Sequence, residues 1–143
     1  MTGKKRVLFV CTYNSVRSQM AEGILRHLYG DYYDVTSAGV APAGLHPLAV
    51  EILREKGVDI SRQKSRSVMQ LREETFDILV TLCDDVKKKC TLPLQGARII
   101  HRPFHSPPEF DKDQEKVLVG FRALREEMWR FIDVTFRPPR HGD

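Results

Sequence analysis

The run Cys11-Thr12-Tyr13-Asn14-Ser15-Val16-Arg17-Ser18 places a thiol and a guanidinium with five residues between them. It follows Val7-Leu8-Phe9-Val10, an apolar stretch that reads as a buried strand, and opens into Gln19-Met20-Ala21-Glu22-Gly23-Ile24-Leu25, which reads as a helix. A turn of this kind gathers backbone N–H groups and the positive end of a helix around one point, and so collects an anion. The same field favours the thiolate, the nucleophilic form of cysteine. Arg17 offers a planar fork to two oxygens of that anion. Ser18 is placed to donate a hydrogen bond to the sulfur, and Asn14 tolerates the left-handed backbone that a curling loop requires. The implied chemistry is nucleophilic attack on a tetrahedral oxyanion. A cysteine after a strand is more often a small core hydrophobe; the strand, Ser18 and the helix together favour the catalytic reading.

The elements that must position this loop alternate along the chain. Strands are predicted at residues 5–10, 34–38, 76–82 and 98–101, and helices at 18–29, 47–56 and 111–134. Pro47 suits a first helical turn and Gly57 a helix end. Leu48, Ile52 and Leu53 form the apolar stripe of the second helix. Val117, Phe121, Leu124, Met128 and Phe131–Ile132 form that of the last. The pattern predicts a single α/β domain over residues 1–143, with residues 137–143 a loose tail. Its centre would be a four-stranded parallel sheet flanked by helices on both faces. Ligands in such folds bind beyond the carboxyl ends of the strands. Cys11 ends the first strand and Cys83 follows the third, so both should face one crevice.

Composition narrows the function. The 143 residues are 41% hydrophobic and 29% charged, with net charge +4, an ordinary globular balance that suits an anionic substrate. The basic residues are scattered, and Lys87-Lys88-Lys89 reads as solvated surface, so neither nucleic acid nor a membrane is an expected partner. No apolar run reaches membrane-spanning length, and Lys4-Lys5-Arg6 leads straight into a short strand, so a cytoplasmic protein is expected. Three cysteines, Cys11, Cys83 and Cys90, in a reducing compartment argue for reactive chemistry or metal binding rather than structural disulfides. Together with His101 they match no usual zinc spacing, and no metal or cofactor is expected.

The chain resembles the thioredoxin-coupled arsenate reductases, which share the fold of the low-molecular-weight protein tyrosine phosphatases. The likeness runs from Val7 to about Ile132. It rests on Val7-Leu8-Phe9-Val10-Cys11-Thr12, Asn14-Ser15, Arg17-Ser18-Gln19-Met20-Ala21-Glu22-Gly23 and Thr36-Ser37-Ala38-Gly39. It continues through Gly57-Val58-Asp59-Ile60-Ser61, Val80-Thr81-Leu82-Cys83-Asp84 and Cys90. The Cys83–Cys90 pair separates the reductases from the phosphatases. The resemblance implies that Thr12, Tyr13, Asn14, Ser15, Val16 and Arg17 hold arsenate, with phosphate or sulfate competing. It implies that Cys11 forms a thiol–arsenate adduct, that Cys83 attacks the Cys11 sulfur to release arsenite, and that Cys90 then attacks Cys83. Thioredoxin would reduce the final disulfide, and a monomer would suffice. In an intact α-helix Cys83 and Cys90 would stand about 10 Å apart, whereas a disulfide needs Cα atoms within about 7 Å. The segment 84–89 is therefore expected to rearrange on oxidation.

Two departures from the family pattern stand out. Where an aspartate before a proline would act as general acid, the chain reads His101-Arg102-Pro103-Phe104-His105-Ser106-Pro107, and serine cannot serve as an acid at neutral pH. His105 is the nearest group of suitable basicity; Glu109 and Asp111 are further candidates. Some relatives bind potassium through Asn, Glu, Ser and Asp. Asn14, Glu22 and Ser37 match, but Arg66 stands in the aspartate's place, so no ion is expected and an arginine would take its electrostatic role. Tyr13 stands where small residues are common and would partly cover the site. The rival readings are a phosphatase of the same fold and an oxyanion-binding or redox-sensing module.

Overall fold

Consecutive apolar residues such as Val7–Val10 are buried on alternate sides only in a sheet covered on both faces. That is their position in the computed structural model, which describes residues 3–84 and 97–139. Cys90 and the lysine run before it lie outside the described residues. Strand β1 (Lys5–Cys11) sits at the centre, and Val7, Leu8, Phe9 and Val10 are wholly buried. It is flanked by β2 (Tyr33–Gly39) on one side and β3 (Ile78–Thr81) on the other, with β4 (Arg98–His101) outermost. All pairings are parallel and the order is β2-β1-β3-β4. The chain therefore leaves β1 toward one edge and returns beyond it toward the other. The carboxyl ends of β1 and β3 are the switch point where such sheets bind ligands.

Helices α1 (Arg17–Tyr29), α2 (Pro47–Arg54) and α3 (Gln114–Phe136) pack against one another, and a 3-10 turn covers Val68–Leu71. The predicted stripe of α3 is the buried one: Val117, Phe121, Leu124, Met128 and Ile132 face the core, with Phe131 half-buried beside Phe104. On α2 the core side chains are Ala49, Ile52 and Leu53, and Leu48 is only partly covered. Each fully buried Leu, Ile or Phe contributes about 1.5–3 kcal/mol, so this stripe helps fix α3 on the sheet.

Element ends differ from expectation where side chains compete with the backbone. The third strand starts at Ile78 rather than 76, because the Asp77 carboxylate takes the Arg6 N–H at 2.7 Å. The last helix starts at Gln114 rather than 111: Asp111 accepts from the Asp113 N–H and Asp113 from the Glu115 N–H, two side-chain turns that delay the first helical residue. It runs on to Phe136 because that ring is buried against Phe9 and Tyr33. Helix α2 ends at Arg54, and the turn is closed at Gly57 in the left-handed region (φ 77°). Arg137, the first residue of the expected tail, is tied to α3 through the Asp133 carbonyl and carboxylate.

Two features lock the frame that carries the loop. A side chain at Gly39 would put its Cβ 2.8 Å from both the Asn14 nitrogen and the Thr12 oxygen, so only glycine lets β2 approach the 11–17 loop. Glu55, just past α2, bridges to Arg122 and Arg125 of α3, and the buried Arg125 also donates to the Ile52 carbonyl at 3.0 Å. The hydrogen bonds from Arg122 and then Arg125 hold the Glu55 carboxyl down at about 2, against an ordinary 4.5.

Gly39→Ala is expected to lower stability by about 1–3 kcal/mol through backbone overlap, read as a reduced urea midpoint, and to slow labelling of Cys11. Because the Glu55 pKa is depressed on folding, its stabilisation is complete above pH 4.5 and drains away as pH falls toward 2. Glu55→Gln should therefore lower Tm at pH 7, and the gap to the native protein should close by about pH 2; a gap independent of pH would contradict the assignment.

Candidate active site

The loop from Cys11 to Arg17 hangs from a seam of outward-facing carbonyls. The oxygens of Cys11, Thr12, Tyr13 and Ser15 accept from the N–H groups of Val40, Ala41, Ala43 and His46 at 2.8–3.3 Å. In a trans peptide the next N–H points the opposite way, so the loop turns a row of donors toward its concave side, a nest for an anion. Asn14 sits at φ 46°, the left-handed geometry that the sequence reading required of it. No side chain caps α1 at Val16, so its first N–H groups remain free to meet a ligand.

Beneath the loop lies a buried polar network whose direction follows from its fixed donors. The Arg66 backbone N–H donates to Asn14 Oδ1 at 2.8 Å. The Asn14 amide nitrogen must then face the other way, and it donates to Ser18 Oγ at 2.8 Å and Ser37 Oγ at 2.9 Å. Ser37 in turn donates its hydroxyl hydrogen bond to Glu22 Oε1 at 2.6 Å. Ser18, already an acceptor, has its single proton left for the Cys11 sulfur 2.8 Å away. A donor aimed at the sulfur stabilises a thiolate there and later a thiolate leaving group.

Glu22 is 4% exposed and is neutralised by Arg26 at 2.6 Å. The arginine that answers this carboxylate is Arg26, one turn on in α1, while Arg66, which stands in the place of the relatives' aspartate, contributes its backbone N–H to Asn14. Asn14, Ser37 and Glu22 have their polar atoms engaged with one another and with Arg26. A potassium ion does not fit that satisfied set, and no step is routed through one.

Cys11 opens onto a cleft of about 320 Å³ lined also by Tyr13, Ser15, Val16, Arg17, Ala43, Ser106, Pro107, Glu109 and Phe110. A neighbouring cleft of about 560 Å³ is lined by Thr12, Arg17, Cys83, Asp84, Phe104, His105 and Ser106 among others. Arg17 and Ser106 border both. The Arg17 guanidinium is oriented by the Phe104 carbonyl at 2.9 Å, and Thr12 Oγ1 lies 3.2 Å from the Cys83 sulfur. Both cysteines are free and buried. Their clefts adjoin because β1 and β3 are neighbours and the loop after β4 is stitched to them, with Arg102 and Phe104 N–H groups on the Thr81 and Leu82 carbonyls.

The expected residues separate into groups. Cys11, Tyr13, Ser15, Val16 and Arg17 line the first cleft, Thr12 and Cys83 line the second, and Asn14 and Ser18 turn their side chains into the network below. His105 lines the Cys83 cleft, whereas Glu109 lines the Cys11 cleft. His101, weighed as a zinc ligand, spends its ring nitrogens on Thr81 and Asp84. Cys90 lies outside the described residues. Sequence reading overlooked His46. It caps α2 by accepting from the Leu48 N–H, and its place directly before Pro47 was the available signal.

Comparison with known proteins agrees with this geometry. The family model described as low molecular weight phosphotyrosine protein phosphatase matches residues 6–104. The arsenate reductase of Bacillus licheniformis is 38% identical over 125 residues, covering 87% of this chain and 90% of that protein. That of Bacillus subtilis is 37% identical over 124 residues, covering 87% and 89%. A structure described as an arsenate reductase in the oxidized state superposes with a TM-score of 0.75 at 28% identity, covering 91% of this chain and 95% of that one. A low molecular weight protein tyrosine phosphatase from T. tengcongensis gives 0.73 at 27% identity, covering 91% and 96%. The chain belongs to the low molecular weight phosphotyrosine protein phosphatase family, and its relatives within that family include the arsenate reductases.

Proposed function

We propose that this protein reduces arsenate to arsenite through Cys11, Cys83 and Cys90, with thioredoxin restoring the dithiol. The observation that carries the reading is the placement of Cys83. Its cleft adjoins that of the Cys11 nucleophile, its sulfur touches Thr12, the residue after Cys11, and Arg17 borders both clefts. A phosphatase needs only the first of these sulfurs.

The chemistry follows from the groups in place. The loop N–H row and Arg17 bind the oxyanion, and the Cys11 thiolate attacks arsenic, so that a sulfur–arsenic bond forms as an arsenic–oxygen bond breaks. The Cys83 thiolate then attacks the Cys11 sulfur. The sulfur–arsenic pair of electrons stays with arsenic, which leaves as arsenite, and a Cys11–Cys83 disulfide remains. Cys90 attacks Cys83, Cys11 departs as a thiolate supported by Ser18, and the Cys83–Cys90 disulfide is passed to thioredoxin. Each exchange needs a nearby thiolate and an accessible sulfur. The named relatives are arsenate reductases, and one structural neighbour is described as thioredoxin-dependent, from Corynebacterium glutamicum, with TM-score 0.61 and 28% identity, covering 92% of this chain and 63% of that one.

No metal or cofactor enters this scheme, and phosphate or sulfate would compete for the loop. Among the described residues no helix is long and apolar enough to cross a membrane, and we place the protein in the cytoplasm as a monomer. The family's phosphatase activity is the second reading, favoured by the apolar walls that Tyr13, Pro107 and Phe110 give the Cys11 cleft.

Arsenate-dependent oxidation of reduced thioredoxin should be abolished by Cys11→Ser, Cys83→Ser and Cys90→Ser alike. Aryl phosphate hydrolysis that survives in the Cys83 and Cys90 variants, with no arsenate turnover in the native protein, would favour the phosphatase instead. Ser18→Ala should slow alkylation of Cys11 by iodoacetamide about tenfold, the worth of one hydrogen bond to a charged group, without changing the urea midpoint to the same degree.

A further inference from the structure

Ser106 leaves the Cys11 cleft without an acid at the expected place, and an oxygen expelled from a tetrahedral centre departs far more readily when it is protonated. Other groups near the loop after β4 line the neighbouring cleft or are engaged elsewhere. His105 lines the Cys83 cleft. Asp111 is exposed and spends its carboxylate on the Asp113 N–H at 2.9 Å. His101 is held between Thr81 and Asp84. Among the described residues, Glu109 is the carboxyl that shares a cleft with Cys11 and Arg17.

Glu109 is also held in place from three directions. Its N–H donates to the Pro107 carbonyl at 2.8 Å. Pro108 lies against Gly120 of α3, where an added Cβ would collide with the proline ring, so the glycine sets how closely this loop approaches the helix. His46 stands 3.2 Å from Glu109 Oε1 through Nε2. The His46 tautomer is fixed by its other nitrogen. Nδ1 accepts from the Leu48 N–H at 3.0 Å, so in the neutral ring the proton sits on Nε2 and points at Glu109. The backbone N–H of His46 in turn donates to the Ser15 carbonyl of the anion loop at 3.1 Å, and its ring packs on Phe121, 5.3 Å between centroids. The histidine thus couples the carboxyl to the loop that carries the nucleophile.

We propose that Glu109, oriented by His46, is the catalytic acid that protonates the oxygen leaving the substrate when Cys11 attacks. The proposal rests on Cys11 being the nucleophile toward an oxyanion, and it assigns the proton transfer of that same step. The sulfur–arsenic bond forms and one arsenic–oxygen bond breaks. The departing oxygen is the substrate's hydroxyl; with its own proton and the one from Glu109 it leaves as water, and the carboxylate regains a proton from solvent. Nothing is oxidised or reduced at this stage. His46 is a positioning residue: it touches Glu109 and Ser15.

The test separates chemistry that needs a proton from chemistry that does not. Alkylation of Cys11 by iodoacetamide expels iodide, which requires none. Glu109→Gln should leave that rate unchanged and slow single-turnover, arsenate-driven loss of the Cys11 thiol about a hundredfold or more. His46→Asn, which keeps an acceptor for the Leu48 N–H, should give a smaller loss in the same assay, and His105→Ala none. The proposal is overturned if Glu109→Gln slows both reactions equally, if it slows neither, or if His105→Ala produces the selective loss. Should the native protein fail to consume thiol with arsenate, the reductase reading falls. Glu109 is then judged on aryl phosphates: the Gln variant should slow hydrolysis of phenyl phosphate and spare para-nitrophenyl phosphate, whose leaving group needs no proton. Equal effects on both esters, or hydrolysis of neither, would overturn the assignment.

Discussion

The amide of Asn14 is the joint on which the site depends. It is wholly buried, in a left-handed backbone position, and it can be satisfied in one orientation only. The backbone N–H of Arg66 demands an acceptor, so the oxygen faces that way. The nitrogen then meets Ser18 and Ser37, and the carboxylate of Glu22 demands the Ser37 proton. Both ends of the network impose the same direction. The consequence is felt at the far end, where Ser18 has no other use for its proton than the sulfur of Cys11. A buried polar network that is fully satisfied specifies a single arrangement, and here that arrangement aims a donor at the nucleophile.

Sheet order supplies the second constraint. With β1 between β2 and β3, the segments leaving the two inner strands emerge side by side, and Cys11 and Cys83 open onto clefts that share Arg17. The β2 side is closed by the contact between Gly39 and the loop, and the β4 side supplies the Phe104 carbonyl that holds the guanidinium. One arginine can then bind the anion and border both sulfurs. Thiol–disulfide exchange needs a thiolate within reach of an accessible sulfur, and adjoining clefts serve that need.

Much of this was legible in the chain. Among the described residues, the four strands, three helices and the loop at the end of β1 followed from apolar runs, periodicity and the residues at their ends. The stripe of α3 was read correctly through Val117, Phe121, Leu124, Met128 and Ile132. Element ends were less legible, because Asp77, Asp111 and Asp113 use side chains where the backbone pattern alone would extend the strand or the helix. The site was legible where residues are adjacent in sequence and illegible where they meet through the fold. Glu22 was noticed, and an arginine was expected to take the electrostatic role of an ion, but which arginine does so depends on the fold: Arg26 at the next turn of the same helix meets Glu22, while Arg66 from a distant loop gives its backbone N–H to Asn14. The pairing of His46 with Glu109 joins residues from opposite halves of the chain, and no local pattern announces it.

The most direct test of the account is a single turnover with arsenate on the Cys90→Ser protein, quenched by alkylation and followed by peptide mass mapping. Without the third thiol the second exchange cannot proceed, so a disulfide joining Cys11 to Cys83 should accumulate in step with arsenite release. Arsenite formed with both cysteines recovered in alkylated form, or no arsenite at all from protein whose Cys11 reacts normally with iodoacetamide, would contradict the pairing of these two sulfurs.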